Sequence, residues 1–179
     1  MRVITGSARG VSLQTPAGLQ TRPTTDRVKE NLFNIIQFDI PGAQVLDLFA
    51  GSGQLGIEAL SRGAQSAVFV DQGKEAIAAV RRNLVATKLQ DHAQVVQSDS
   101  FSYLQSCRRK FDLIFLDPPY SGNFLEKAIV FISEIDILSD GGIIICERPI
   151  EKEELPEISN LMRSKDYQYG KILITLYRK

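Results

Sequence analysis

The sequence predicts an α/β protein built on a doubly wound, mostly parallel sheet. From residue 44 onwards, short apolar runs alternate with segments in which apolar residues recur at helical spacing. The runs are apolar at nearly every position, which is typical of strands covered on both faces. Right-handed crossovers between such strands give a sheet with helices on both sides. We expect a single domain over 1–179, with an N-terminal appendage at 1–43 and a sandwich at 44–179.

The elements of the sandwich are expected in the following order. Strands are predicted at 44–49, 67–70, 94–96, 111–116 and 143–146. Helices are predicted at 54–62, 74–89 and 124–135, with a further acidic amphipathic helix at 151–164. Two last β runs flank Gly170 without a helix between them, so one of them is expected to be antiparallel to its neighbours.

The appendage is expected to hold a small hairpin and a helix. Residues 2–13 alternate weakly and contain two glycines, which favours a hairpin. A helical run with Val28 and Leu32 on one side follows, and Thr24 or Thr25 is a suitable N-cap for it.

Composition excludes several classes of protein. Lys and Arg number 21, as do Asp and Glu, so there is no overall basic signal for nucleic acid, although residues 1–30 are locally basic. Arg108, Arg109 and Lys110 form a second basic cluster, suited equally to phosphates or to a solvated turn. No apolar run is long enough for a membrane span and no secretory signal is visible, which predicts a cytoplasmic protein. One His and two Cys without ligand spacing predict no metal site.

A glycine-rich turn carries the first functional signal. Gly51, Gly53 and Gly56 form Gly-x-Gly-x-x-Gly between a predicted strand and a predicted helix, and Asp71 follows Gly51 by 20 residues at the end of the next strand. Such a turn lets a ligand approach the backbone, and the acid can accept the hydroxyls of a ribose. The pattern fits a dinucleotide or S-adenosylmethionine (SAM).

Asp47 favours SAM over a dinucleotide. It directly precedes the turn, where a pyrophosphate would be repelled but the ammonium and sulfonium of SAM would be attracted. Asp99 follows the third strand, where it can meet the adenine amino group or cap the next helix. Phe49 in the turn and Ser100 beside Asp99 complete the expected cofactor site.

Asp117-Pro118-Pro119-Tyr120, at the end of the fourth strand, carries the second signal. The prolines stiffen the backbone, so the Asp117 carboxylate and the Pro118 carbonyl become fixed acceptors. Two acceptors on the N–H groups of an exocyclic base amine localise its lone pair, and Tyr120 can stack on the base. The tetrapeptide therefore predicts methyl transfer to a base nitrogen.

Together these motifs resemble the class I SAM-dependent amino-methyltransferases. The run Thr21–Asn34, with Gly6, Arg9, Gly10 and the segment Phe49–Gly63, is similar to the bacterial small-subunit (16S) ribosomal RNA guanine-N2 methyltransferases over almost the whole chain. The resemblance implies a Rossmann-like, seven-stranded fold. It also implies SAM as cofactor and a guanine amino group of 16S RNA as substrate, in an assembled 30S subunit or a late precursor.

The resemblance also implies site residues. It assigns the cofactor to Asp47, Gly51, Ser52, Gly53, Asp71 and Asp99, and the base to Asp117, Pro118 and Tyr120. Arg22, Thr24, Thr25 and Arg27 would line the entrance, and Arg9 is expected to contact RNA. Val11 and Ser12 stand where the family tends to have basic residues, which favours a folded particle over free RNA as substrate.

Three rival functions fit parts of the sequence. A DNA adenine-N6 methyltransferase shares Asp-Pro-Pro-Tyr, but usually carries a separate DNA-reading domain. An NAD-dependent oxidoreductase shares the glycine turn, but leaves Asp117–Tyr120 unexplained. A non-catalytic RNA-binding module would have no need of all four positions of that motif.

Overall fold

The computed structural model describes residues 1–16, 26–119, 122–151 and 155–179. Within these ranges the chain forms five α-helices and eight β-strands. Their order is α1 (Asp26–Ile35), β1 (Gln44–Asp47), α2 (Gln54–Ser61), β2 (Ser66–Asp71), α3 (Lys74–Thr87), β3 (Ala93–Gln97), α4 (Ser100–Ser106), β4 (Phe111–Leu116), α5 (Phe124–Ile135), β5 (Leu138–Pro149), β6 (Met162–Arg163), β7 (Tyr167–Tyr169) and β8 (Ile172–Arg178).

The strands form one sheet in the order β3-β2-β1-β4-β5-β8, with β6 and β7 both paired to the outer edge of β8. The five strands from β3 to β5 are parallel, and β8 is antiparallel to β5. This confirms the predicted class and the antiparallel end. The described residues hold eight strands where seven were expected, because β6 and β7 pair with different parts of the same edge of β8.

The order of the strands places a ligand site at one point of the sheet. From β1 the chain continues outwards through β2 and β3, and it then returns to the other side of β1 as β4. In open parallel sheets, ligands bind outside the carboxyl ends of the strands at this reversal. The glycine turn after β1 and residues 117–119 after β4 lie at this point.

Two apolar clusters cover the faces of the sheet. The first joins the N-terminal segment with α1, α2 and α3 against Val45 and Phe115. The second joins α4 and α5 against Leu46 and Ile114. Because side chains alternate along a strand, Asp47 and Asp117 belong to the face of the first cluster. No helix of the described ranges has the length and apolar character that a membrane crossing requires.

The predicted helix at 151–164 is wrong in its described part. Residues 155–161 form no helix, and Met162 and Arg163 form β6. Pro156 lacks the N–H that a helix interior needs, while its carbonyl accepts a 2.6 Å hydrogen bond from the Tyr177 hydroxyl. The helical spacing of the acidic residues is therefore overruled by the pairing of this segment with β8.

The N-terminal residues form the expected small hairpin, which is held to α2 by one buried acid. Arg2 and Ser12 form an antiparallel bridge. The Glu58 carboxylate accepts hydrogen bonds from the backbone N–H groups of Ile4 (2.8 Å) and Thr5 (3.0 Å). It also pairs with the fully buried Lys29 of α1, at 3.6 Å. Glu58 thus joins hairpin, α1 and α2; the division of the chain at residue 43 stays a prediction.

Candidate active site

The glycine turn connects β1 to α2 at the carboxyl edge of the sheet. Gly51 has φ +53, in the left-handed region, and a Cβ there would meet nothing within 4 Å. The backbone at Gly51 therefore faces open space that a ligand can enter. Gly56 has a different function: a Cβ would lie 2.4 Å from Cε1 of Phe69, so its absence lets α2 pack closely on β2.

Asp47, the last residue of β1, holds the start of α2. Its Oδ2 accepts a 3.0 Å hydrogen bond from the Gly56 N–H, and the side chain is buried. Burial raises the pKa of Asp47 to about 7; the Asp71 carboxylate adds to the rise and the Gly56 bond opposes it. A nearby cation would favour the ionised form, so this position suits a ligand with an ammonium or sulfonium group.

Asp71 joins the turns that follow β1 and β2. One carboxylate oxygen accepts a hydrogen bond from the Gly51 N–H at 2.9 Å, and the other accepts one from the Gly73 N–H at 2.8 Å. The side chain is half-buried. Each carboxylate oxygen has a second lone pair, so the group remains able to accept the hydroxyls of a ribose.

Ser52 is tied to the N-terminal segment through Asn83 of α3. The buried Asn83 amide donates to the Ser52 carbonyl at 2.8 Å and to the Gln14 carbonyl at 2.9 Å. Its oxygen accepts from the Gln14 N–H at 2.8 Å. The Ser52 hydroxyl lies 3.6 Å from the sulfur of Met1. The N-terminal segment therefore lies against the glycine turn.

Asp99 and Ser100 begin α4 beside the same edge. The Oδ1 of Asp99 accepts a 2.9 Å hydrogen bond from the Ser102 N–H, which confirms helix capping as one of its two predicted roles. The Ser100 hydroxyl donates to the Leu48 carbonyl at 2.9 Å, and Phe49 packs against the second apolar cluster. Contacts of these residues with a cofactor stay a prediction.

Asp117 follows β4 directly beside the glycine turn. The strands β1 and β4 are paired neighbours, and the Leu48 N–H donates to the Phe115 carbonyl at 3.2 Å. Burial, the Glu147 carboxylate and the Asp47 carboxylate raise the pKa of Asp117 well above its ordinary value. Pro118 is buried and Pro119 is exposed, whereas Tyr120 lies outside the described residues. The glycine turn and the described part of the second motif, Asp117 to Pro119, therefore meet at one end of the sheet.

The predicted substrate residues are only partly described. Arg9 and Arg27 are exposed, while Arg22, Thr24 and Thr25 lie outside the described residues.

The second basic cluster lies at the opposite end of the sheet, because Arg109 donates to the Gln44 side chain (3.0 Å) where β1 begins. Of its two predicted roles, the structure therefore favours a solvated turn away from the site.

Three buried residues of this region carried no predicted role. Glu147 follows the apolar run of β5 and lies next to Asp117 through the pairing of β4 with β5. Gln54 begins α2, and Asn83 lies within α3. A charged residue that ends an apolar run was the available signal for Glu147; Gln54 and Asn83 stand at helical positions that sequence patterns do not single out.

Known proteins resemble this chain over its full length. The sequence profile of the family described as "Conserved hypothetical protein 95" matches residues 1–178. YlbH of Bacillus subtilis is 44% identical over 183 residues, covering 100% of this chain and 99% of its own. The ribosomal RNA small subunit methyltransferase D of Escherichia coli K12 is 36% identical, over 100% of this chain and 90% of its own.

A solved structure extends the likeness to the fold. The Escherichia coli protein yhhF superposes with a TM-score of 0.87 at 36% identity, covering 100% of this chain and 97% of its own. These similarities confirm the resemblance that the motifs indicated and give no support to DNA adenine methylation or NAD-dependent oxidation. The chain belongs to the family described as "Conserved hypothetical protein 95" and is a methyltransferase.

Proposed function

We propose that this chain transfers a methyl group from SAM to the exocyclic N2 of a guanine in small-subunit ribosomal RNA. One observation carries the proposal: Asp117 follows the strand next to the glycine turn, on the same face of the sheet as Asp47. An acceptor for a base amine and a turn for the methyl donor thus lie side by side. The relative from Escherichia coli, whose name specifies small-subunit ribosomal RNA, supports the class of substrate.

The acceptor residues would act mainly by position. SAM supplies a methyl group that is already activated for in-line transfer. Asp117 and the Pro118 carbonyl accept the N–H groups of the guanine amine and direct its lone pair, and Tyr120 stacks on the ring. Asp117 or water takes the proton that the nitrogen loses. Asp47, the glycine turn, Asp71 and Asp99 hold the cofactor, together with Phe49, Ser52 and Ser100.

The substrate would be a folded particle rather than free RNA. Arg9 and Arg27 offer exposed positive charge at the N-terminal side of the site, and Arg22, Thr24 and Thr25 are proposed to join them. The formal net charge of +0 gives little general attraction to phosphates. We therefore propose the 30S subunit or a late precursor, in the cytoplasm, as the substrate.

Transfer of a deuterated methyl group tests the proposal. The purified chain is incubated with methyl-deuterated SAM and either 30S subunits from cells lacking this enzyme, naked 16S RNA or DNA. The products are digested to nucleosides and analysed by mass spectrometry. We expect label in N2-methylguanosine, and we expect it to be incorporated faster into 30S subunits than into naked RNA. Incubation with 50S subunits is the control and should give no label. Label in N6-methyladenine of DNA would instead support the rival methyltransferase.

A further inference from the structure

Gln54 holds a buried acceptor that the fold leaves unused. It is the first residue of α2, directly after Gly53, and the residue is 7% exposed. The side-chain oxygen Oε1 is buried and, among the described residues and their contacts, has no hydrogen-bond partner. Folded proteins rarely leave a buried polar atom unpaired, because its lost hydration is not replaced. Such an atom at the edge of a candidate site indicates a donor that arrives with a ligand.

The packing of α2 places Gln54 at the carboxyl edge of the sheet. Gln54 lies one helical turn before Glu58, which pairs with Lys29 of α1. One turn further along both helices, the Arg62 guanidinium lies 4.9 Å from the ring centre of Phe33. The two helices therefore run side by side in the same direction, so Gln54 lies between the glycine turn and the start of α1.

The donors of SAM are few, and most are already assigned. Asp71 is placed for the ribose hydroxyls, and Asp99 begins the helix beside the predicted adenine position. The α-ammonium group remains, at the amino-acid end of the cofactor. Asp47 lies at the same turn, and beside its bond from the Gly56 N–H it can accept from one of the three N–H groups of the ammonium. A second acceptor at Gln54 would share the ammonium with Asp47.

We propose that the side-chain carbonyl of Gln54 accepts a hydrogen bond from the α-ammonium group of SAM. This inference rests on the cofactor named in the proposed function. It makes Gln54 a binding residue that distinguishes ligands with an amino-acid portion from those with adenosine alone. The helix supplies the position, since Gln54 directly follows the turn that the cofactor would approach.

Calorimetry with two ligands tests the contact. Gln54→Leu keeps the approximate size of the side chain and removes the acceptor. S-adenosylhomocysteine carries the α-ammonium group, whereas 5′-methylthioadenosine shares its adenosine and thioether but lacks the amino-acid portion. We expect the Kd for S-adenosylhomocysteine to rise about 10-fold or more, as for a lost charge-assisted bond, and the Kd for 5′-methylthioadenosine to stay within about twofold. Gln65→Leu, an exposed change, serves as the matched control.

Thermal unfolding without ligand separates this contact from damage to the turn. If Oε1 is unpaired in the free protein, Gln54→Leu should have a Tm equal to or above that of the wild type. A lower Tm, or an equal loss of affinity for both ligands, would show that Gln54 supports the fold and would overturn the inference. Unchanged affinity for both ligands would overturn it too. Failure of the wild type to bind S-adenosylhomocysteine would instead contradict the proposed function.

Discussion

Two acids on the same face of the sheet, the buried Glu58 and the half-buried Asp117, have opposite surroundings. Glu58 lies against two cations and two backbone donors: Lys29 at 3.6 Å, Arg62 at 2.8 Å, and the N–H groups of Ile4 and Thr5. Asp117, one layer away at the edge of the sheet, lies near the carboxylates of Asp47 and Glu147, and its pKa is raised. The protein supplies Glu58 with cations and N–H donors. The groups near Asp117 are instead carboxylates, which carry the same negative charge as Asp117 itself.

This difference separates an acid that stabilises the fold from one that is available to a ligand. A carboxylate that is buried with cations and N–H donors contributes to the free energy of folding, and removing it exposes those partners. A carboxylate that is buried beside others destabilises the ligand-free protein, and a donor or a cation that binds there relieves the strain.

The largest effect is expected at the fold-stabilising acid. Glu58→Ala would leave Lys29 buried without its carboxylate and two backbone N–H groups unpaired. We expect the free energy of unfolding to fall by about 3–5 kcal/mol, measured by urea denaturation. Glu30→Ala, an exposed acid on α1, should change it by less than about 0.5 kcal/mol. A small loss at Glu58 would contradict the contrast between the two acids.

The next effect concerns turnover. Asp117→Asn keeps an acceptor but removes the charge and should lower kcat by roughly 10²-fold or more, while the Kd for SAM stays close to that of the wild type. The control is Asp112→Asn at the other end of β4, where Asp112 accepts from the Gln44 N–H at 2.8 Å. That variant should keep its kcat. If Asp117→Asn retains near wild-type turnover, the assigned role is wrong.

A smaller effect is expected in the pH dependence of transfer. In the proposed reaction Asp117 accepts the amine N–H as a carboxylate, so activity should decline as the pH falls through its raised pKa. Glu147 contributes to that rise. Glu147→Gln should therefore move the acid limb of kcat/KM to lower pH, whereas an acid limb at the same pH would remove Glu147 from the electrostatics of the site.

The last effect is a change in stability with pH. The pKa of Asp47 is about 7 in the folded protein and near 4 when unfolded, so the folded state binds more protons between these values. The contribution is fully present below about pH 4 and is lost as the pH rises through about 7. Urea denaturation at several pH values should show that the free energy of unfolding falls more steeply with rising pH for the wild type than for Asp47→Asn. Equal slopes would mean that Asp47 is already ionised in the free protein.

The sequence predicted the parallel core, and it brought the two candidate motifs to neighbouring strands, because both depend on local patterns. Apolar runs identified β4 and α5 at their observed bounds, and the glycine turn and Asp117 each follow a strand whose position was clear. The helix predicted at 151–164 is wrong in its described part, because helical spacing is a local pattern whereas the pairing of β6 with β8 is not. Likewise the roles of Asn83 and Glu58 depend on partners more than fifty residues away in the chain, which no spacing rule can reveal.

The Asp71 side chain is ordered when the chain folds, so its conformational entropy is not lost again when a ligand binds. Its two oxygens are held by N–H groups from turns that follow different strands, at 2.9 and 2.8 Å. The side chain has therefore already lost its rotational freedom before any nucleoside arrives. An arriving ribose meets an immobile acceptor, so the affinity gained there is not reduced by ordering the protein.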